Sequence, residues 1–332
     1  MFNLKIKRLC SFLALSTLIV SSFATESFAK KHPSYAQKVC NGLVQVVIHA
    51  SYGGGTDTTA RMMSIRTRRT LNTDIQVVGK RGGSGAKAQN YTLTRPKDGC
   101  TIMALTESHL YTMARGKSNM KIDDLVGVAR AMEEPNFIVV NAKNKELSTI
   151  KKFIKRAQKK PIVTGIASIG GTEHIGMYSY SQAAGVPFKA VSFGSGAQSL
   201  QALVSGKIEA TLLNPSEAVA MIEAKKIKPI ILLHDKKMSD FKKVPTSYEM
   251  GHNVKVVTTR GYAVLKGTPQ ATIDEISKGL VKAMKHETFG TYLKGAGLDP
   301  KTSPAGTEVW DKQLKENYKK AATALKGLGL TK

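Results

Sequence analysis

The chain has 332 residues, more than one hydrophobic core usually serves, so two lobes of about 150 residues each are expected. Hydrophobic residues make up 42% and charged residues 22%, with 29 Gly and 11 Pro; this globular composition excludes a collagen, a coiled coil or a disordered tail. Fifty Lys+Arg against 24 Asp+Glu give +26, a charge that suggests a nucleic-acid binder until the N-terminus is read.

Lys5, Lys7 and Arg8 precede an apolar stretch, Phe12 to Val20, broken only by Ser16 and Thr17. Ser27-Phe28-Ala29 puts a small residue at both positions that a signal peptidase reads, so residues 1–29 are expected to be a cleaved secretory leader. The apolar run is too short to span a bilayer. Cys10 lies before it, away from any lipoprotein cleavage site. An exported chain meets little nucleic acid. The charge is then read as attraction for anionic small molecules, which raises their on-rate, as attraction for an anionic surface, or as a solubility device. No later segment approaches 18 uninterrupted apolar residues, so the mature chain is expected to be soluble. Cys40 and Cys100 remain in it, an even number for an oxidising compartment.

Leu43 to Ile48 is a β-branched run ending in Tyr52-Gly53-Gly54-Gly55, a strand followed by a glycine turn. Asp57 then opens a helix expected to run to about Leu71. Ile75–Val78 and Thr101–Leu105 read as further strands, and strands separated by helices imply a parallel sheet with helices on its faces. Phe137–Val140 starts a second run of the same kind. Ser148 is expected to cap a helix whose Ile150, Phe153, Ile154 and Ala157 share one face. Pro161–Gly165 is a strand leading to Ser168-Ile169-Gly170-Gly171-Thr172, and the helix after it stops at Gly185. Ser195 to Gln198 reads as a capping box opening a helix that ends at Gly206. Pro229–Leu233 reads as a strand returning the chain to the first lobe. The last hundred residues are mostly helical, with Thr268-Pro269 and Ser303-Pro304 as expected helix starts.

Three of these turns, at Gly53–Asp57, Ser168–Thr172 and Gly194–Gly196, lead into helices. A helix N-terminus leaves about four N–H groups unpartnered and carries roughly half a positive charge. Glycine lets an anion approach that backbone closely. One such turn alone is usually only a chain reversal. Two or three converging on one anion, at about 1.5–3 kcal/mol per charged hydrogen bond, reach the roughly 8 kcal/mol of micromolar binding.

Other chemistries fit less well. Gly79–Gly85 lacks the P-loop spacing, and Gly53-Gly54-Gly55 lacks the dinucleotide register. Gly165 to Gly170 misses the nucleophile-elbow pattern by one residue, which keeps a serine hydrolase using Ser168 with His174 as an alternative. The histidines show no metal-ligand spacing, so no metal and no cofactor are expected.

Tyr52-Gly-Gly-Gly-Thr-Asp57-Thr-Thr-Ala-Arg61 resembles the opening signature of the tripartite tricarboxylate transporter substrate-binding proteins, the Bug family. Gly82, Gly85 and Lys97–Thr101 resemble its second block. Gly165–His174, Phe193–Ala197 and Gly206 resemble the second-lobe blocks, and Val244-Pro245-Thr246, Glu249, Gly251 and Gly267-Thr268-Pro269 the C-terminal ones. The likeness runs from about Leu43 onwards. It departs from the family at His49-Ala50-Ser51-Tyr52, Ala86, Ser192 and Cys100.

The resemblance implies an α/β, two-lobed periplasmic-binding-protein-like fold, each lobe a mainly parallel sheet flanked by helices, with a ligand cleft between the lobes. The lobes are expected over 30–136 plus 234–332 and over 137–233. It implies a non-enzymatic periplasmic monomer that binds a small carboxylate (a di- or tricarboxylate, an acidic amino acid or an aromatic acid) and delivers it to membrane permease subunits. A module sensing the same ligand for a membrane kinase is a further alternative. Carried over, Tyr52, Gly53, Gly54, Gly55, Thr56 and Asp57 form one jaw and Ser168, Gly170, Gly171, Thr172 and His174 the other. Ser195, Ser108 and Asn214 complete the expected site. In such a lobe the first and third strands are parallel neighbours about 4.8 Å apart, within disulfide range, which implies a Cys40–Cys100 bond.

Overall fold

The computed structural model describes residues 33–330, and the expected leader at 1–29 lies outside them. Tyr35–Val39 (α1), Leu43–Ile48 (β1), Gly55–Ser64 (α2), Thr67–Thr70 (α3), Asp74–Gly79 (β2), Ala86–Leu93 (α4), Thr101–Leu105 (β3), Glu107–Ala114 (α5) and Leu125–Pro135 (β4) come first. Phe137–Asn141 (β5), Ile150–Ala157 (α6), Ile162–Ile166 (β6), Thr172–Ala184 (α7), Phe188–Ser192 (β7), Gly196–Val204 (α8), Ala210–Leu213 (β8), Pro215–Glu223 (α9) and Ile227–Leu232 (β9) follow. Val257–Leu265 (β10), Gln270–Met284 (α10), Glu287–Gly295 (α11), Ala305–Gly306 (β11) and Thr307–Gly327 (α12) complete the order.

Two sheets result, one per lobe. The first runs β11-β4-β10-β3-β1-β2 and the second β7-β6-β8-β5-β9. In β1, Val44, Val46 and Ile48 enter one core with Tyr262 and Leu280, while Val47 enters another with Met103 and Trp310. Both faces are therefore covered, as the continuous apolar stretch Val46-Val47-Ile48 requires. The second sheet does the same, with Ile138 and Val140 on one face and Phe137 and Val139 on the other.

The parallel pairs are β1 with β2 and β3, and β6 with β7 and β8. Strands β4, β5, β9 and β10 run antiparallel to their neighbours, so both sheets are mixed. These antiparallel strands are the ones next to the crossings between lobes. The first crossing is Asn136, 1% exposed, between β4 and β5. The second arrives at Val256, and the two are tied by Asn136 N–H to Val256 O at 3.0 Å and Leu233 N–H to Asn136 O at 2.9 Å.

Several local expectations change. Helix α2 stops at Ser64, and a separate turn, α3, covers Thr67–Thr70. Thr149, not Ser148, caps α6, its hydroxyl accepting from Lys152 N–H at 3.3 Å. Strand β9 pairs with β5 inside the second sheet and runs, as expected, towards the crossing, its Leu232 opposite Phe137, but does not itself enter the first lobe. The return is made by 233–256, where Val254 and Val256 pack in the second core. Thr268 gives its hydroxyl to Leu265 O, and Pro269 is the cap of α10. Ser303-Pro304 starts no helix, because Ala305–Gly306 pairs with β4 before α12 begins. Cys40 and Cys100 form a disulfide with Cα atoms 5.5 Å apart. It is placed by the pairing of β1 with β3, where Gln45 N–H reaches Cys100 O at 2.8 Å.

Candidate ligand-binding cleft

Strands β1, β3, β6 and β7 all end at the gap between the sheets, and the turns after them start helices there. The caps are Gly54 for α2 and Thr106 for α5 on the first lobe, and Gly171 for α7 and Ser195 for α8 on the second. The turns meet across the gap. Ser51 N–H donates to Gly194 O at 3.0 Å, and Thr172 N–H to Ser108 Oγ at 3.1 Å. Ser108 Oγ also lies 3.1 Å from Thr172 Oγ1, and Ser84 donates its hydroxyl to Ile169 O. The stretches around Gly54 and Gly171 therefore share one crevice.

An inner space of about 30 Å³ is lined by Gly55, Thr56, Ser108, Thr172, Ser195 and Gly196, together with His49, Glu173, Glu217 and Arg260. An outer chamber of about 320 Å³ shares His49, Ala50 and Ala167 with it and adds Arg81, the Gly82–Gly85 turn, Ser168, Ile169 and Ser192. The approach is close because glycine permits it. A Cβ on Gly54 would lie 2.9 Å from Ser195 Cβ, and one on Gly55 would overlap the Arg260 guanidinium.

The remaining expected residues sit around this crevice. Asp57 braces its own turn, accepting from Gly53 N–H at 2.9 Å and from Arg61 Nε at 2.9 Å. Tyr52 is 54% exposed, its hydroxyl accepting from Gly79 N–H on the rim. Gly170 lies against the Arg115 guanidinium at φ +71°, a left-handed turn that glycine tolerates. His174 caps that turn, its Nδ1 accepting from Gly170 N–H at 2.9 Å. Among the described residues no hydrogen bond joins His174 to Ser168. Asn214 caps α9 at the hinge, giving its amide to Pro135 O at 3.0 Å and accepting from Arg260 at 3.1 Å.

Sequence reasoning missed the charged core of the cleft. Arg260, on β10, is buried and donates to Glu134 at 2.6 Å; its second nitrogen lies 3.9 Å from Glu217. Burial would lower the Arg260 pKa, but Glu134 and Glu217 outweigh it and drive it upward. Glu217 Oε1 accepts from Gly55 N–H at 3.0 Å and sits 2.5 Å from where a Gly196 Cβ would stand. A carboxylate of the second lobe thus rests at the mouths of α2 and α8, where the helix dipoles favour an anion. Burial pushes Glu173 up to about 7, and its Oε2 has no partner among the described residues. His49, pushed down to about 4 by burial and by Arg260, is neutral and packs edge-on against His109 at 4.1 Å. The available signal was positional: Glu173 and Glu217 are first-turn residues of helices that start at the cleft.

Residues 59–330 match the family described as the tripartite tricarboxylate transporter family receptor. The chain belongs to this family. A UPF0065 protein from the gbd 5′ region of Cupriavidus necator is 22% identical over 324 residues, covering 97% of this chain and 98% of the relative. MatC of Rhodopseudomonas palustris, solved with bound malate, shares the fold with a TM-score of 0.79 at 21% identity, covering 85% of this receptor and 98% of MatC. A second R. palustris protein, solved with adipate, gives a TM-score of 0.79 at 21% identity over 86% of this receptor and 97% of its own chain. The receptor is a solute-binding protein and not an enzyme.

Proposed function

We propose that this receptor captures a small carboxylate between its lobes and delivers it to the permease subunits of a tripartite tricarboxylate transporter. It works as a monomer in the periplasm, after loss of the leader at 1–29. The lobes are 33–136 with 257–330, and 137–256, since Val254 and Val256 pack with the second core.

The observation that carries this reading is the convergence of four helix N-termini, two from each lobe, on one crevice. Backbone N–H groups at such termini bind carboxylates without a dedicated basic side chain. A ligand touching both lobes binds the closed arrangement better than an open one, so it shifts the population towards closure. Malate and adipate in the two R. palustris neighbours agree with a di-acid-sized guest. His174 spends its Nδ1 on the Gly170 amide, which does not favour the hydrolase alternative.

A thermal-shift screen of malate, adipate, citrate, glutamate and benzoate tests the reading. A ligand at a hundred times its Kd raises stability by about 2.7 kcal/mol. A flat melting temperature across such a screen would overturn it.

A further inference from the structure

The second lobe has a charged end that the ligand site does not use. In its sheet β6, β7, β8 and β9 run towards the cleft and β5 runs back. The starts of those four strands and the end of β5 therefore share the pole opposite the cleft. Helix α6 joins the end of β5 to the start of β6, so it lies at that pole too.

Residues 137–233 hold twelve lysines, one arginine and five glutamates. All twelve lysines are exposed, and each falls on α6, in a loop at the pole, or at the second residue of a strand that starts there. Glu173 and Glu217 are at the cleft end, and Glu209 is taken by Arg156 at 2.6 Å. Glu146 and Glu223 remain, and among the described residues no carboxylate pairs with any of the twelve lysines. On the first lobe, by contrast, Arg61, Arg68 and Lys315 are matched by Asp57, Asp74 and Asp311.

We infer that this pole docks the receptor on a bilayer of anionic phospholipids. Five strands about 4.8 Å apart make the pole roughly 20 Å across, a broad face and not a groove. Attraction to a charged surface is felt within a Debye length, about 8 Å, so cations gathered at one end act together while those spread over the first lobe do not. Lysine is a flexible point charge suited to a field of headgroups, whereas forked recognition of a nucleic-acid phosphate favours arginine, and the one arginine here is spent on Glu209. No exposed aromatic ring stands among the lysines to stack a base: the exposed tyrosines are Tyr52, on the cleft rim, and Tyr248, near the crossing. Val204, which ends α8 beside Asn141, and Met221, in the last turn of α9, are each 38% exposed and add apolar contacts at the headgroup level. Docked by this pole, the receptor keeps its cleft free to take ligand and searches for its transporter in two dimensions.

Vesicle sedimentation of the leader-free protein tests this, with phosphatidylglycerol in phosphatidylethanolamine against phosphatidylcholine alone. Binding is expected to the anionic vesicles only and to vanish at about 0.5 M salt. Each lysine at the surface strengthens binding about fivefold, so replacing Lys143, Lys145, Lys159, Lys160 and Lys207 together by glutamine is expected to weaken it by about a hundredfold or more. The same change of charge on the first lobe, with Lys278, Lys282, Lys285, Lys294 and Lys319 replaced by glutamine, is expected to alter it by less than about threefold. Absence of binding to the anionic vesicles, or equal loss in the two variants, overturns the inference. Tighter binding of single-stranded DNA than of the vesicles at the same salt assigns the pole to nucleic acid and also overturns it. The inference uses the receptor reading only to place the chain beside a membrane. Thermal shifts by carboxylates are expected to be unchanged in the second-lobe variant, so the two readings fail separately.

Discussion

Gly54 caps α2 with φ −78° and ψ 168°, angles open to any residue, so Gly54→Ala keeps its backbone conformation, with a tight 3.2 Å approach to Ser51 O in its own turn. Its effect lies across the cleft, where the new methyl would stand 2.9 Å from Ser195 Cβ. Carbon atoms in contact prefer about 3.5–4.0 Å, so the lobes must part by roughly 0.6–1 Å. That movement stretches the 3.0 Å bonds from Ser51 N–H to Gly194 O and from Gly55 N–H to Glu217 out of range. The neutral bond contributes about 0.5–1.5 kcal/mol and the charged one about 1.5–3, so closure weakens by about 2–4.5 kcal/mol, or roughly 30- to 2,000-fold. Loss of the glycine cap costs α2 at most about 1 kcal/mol, so the fold survives. Amide hydrogen exchange at Ser51 and Thr172 reads closure directly, and small-angle scattering reads compaction. Gly53→Ala is the control: it sits at φ +80° with nothing within 4 Å, so it strains its own turn but leaves the cleft contacts alone. Slow exchange at Ser51 and an unchanged radius of gyration in Gly54→Ala would refute the closure geometry.

Three further outcomes follow from the same contacts. The disulfide closes a separation of 60 residues, so replacing Cys40 and Cys100 together by alanine is expected to cost about 4 kcal/mol by loop entropy. Denaturant melts measure that cost, and peptide maps with both thiols free in oxidised protein contradict the bond. Arg260→Met strands a buried Glu134 and is expected to cost about 3–5 kcal/mol. Adding Glu134→Gln should restore most of it, and an undiminished loss in the double variant refutes the pairing. Glu173 has its folded pKa near 7, above the ordinary carboxyl value, so the folded state keeps a proton that the unfolded chain has released. Its contribution to stability is complete at low pH and is lost as pH rises to about 7. The melting-temperature advantage of Glu173→Gln should therefore grow between pH 5 and pH 7 and level off above; a constant difference refutes the assignment.

What was legible in the sequence was what local chemistry fixes. The β-branched runs at 43–48 and 101–105 and the glycine stops predicted their elements because backbone propensity and packing agreed there. Strand β4 was missed because Leu-Val-Gly-Val-Ala-Arg-Ala-Met-Glu-Glu-Pro mixes helix formers with charge, and only its position beside β10 makes it a strand. Gly127 and Gly261 on those two strands give room to the Trp310 indole, a reason that no local pattern reveals. The glycine turns of the cleft were legible for the opposite reason, since each needs a bare backbone. Arg260, Glu217 and Glu173 were not, because their meaning comes from three elements far apart in sequence meeting at one hinge.

The excess positive charge and the acidic inner cleft act at different distances. Strand β6 has five residues, so the lysines at its start stand about 17 Å from the cleft turns at its end. At physiological ionic strength the Debye length is about 8 Å, and the field of those lysines is largely screened before it reaches the ligand's entrance. Arg81, in the chamber wall, is within reach of an arriving carboxylate. Replacing Lys143, Lys145, Lys159, Lys160 and Lys207 together by glutamine should therefore leave the association rate of a bound carboxylate within about twofold at 0.15 M salt, whereas Arg81→Gln should lower it by about tenfold or more and flatten its salt dependence. Stopped-flow association at two salt concentrations separates the cases. A large rate loss in the lysine variant at 0.15 M salt would mean that the whole chain's field, and not the local cation, draws the ligand in.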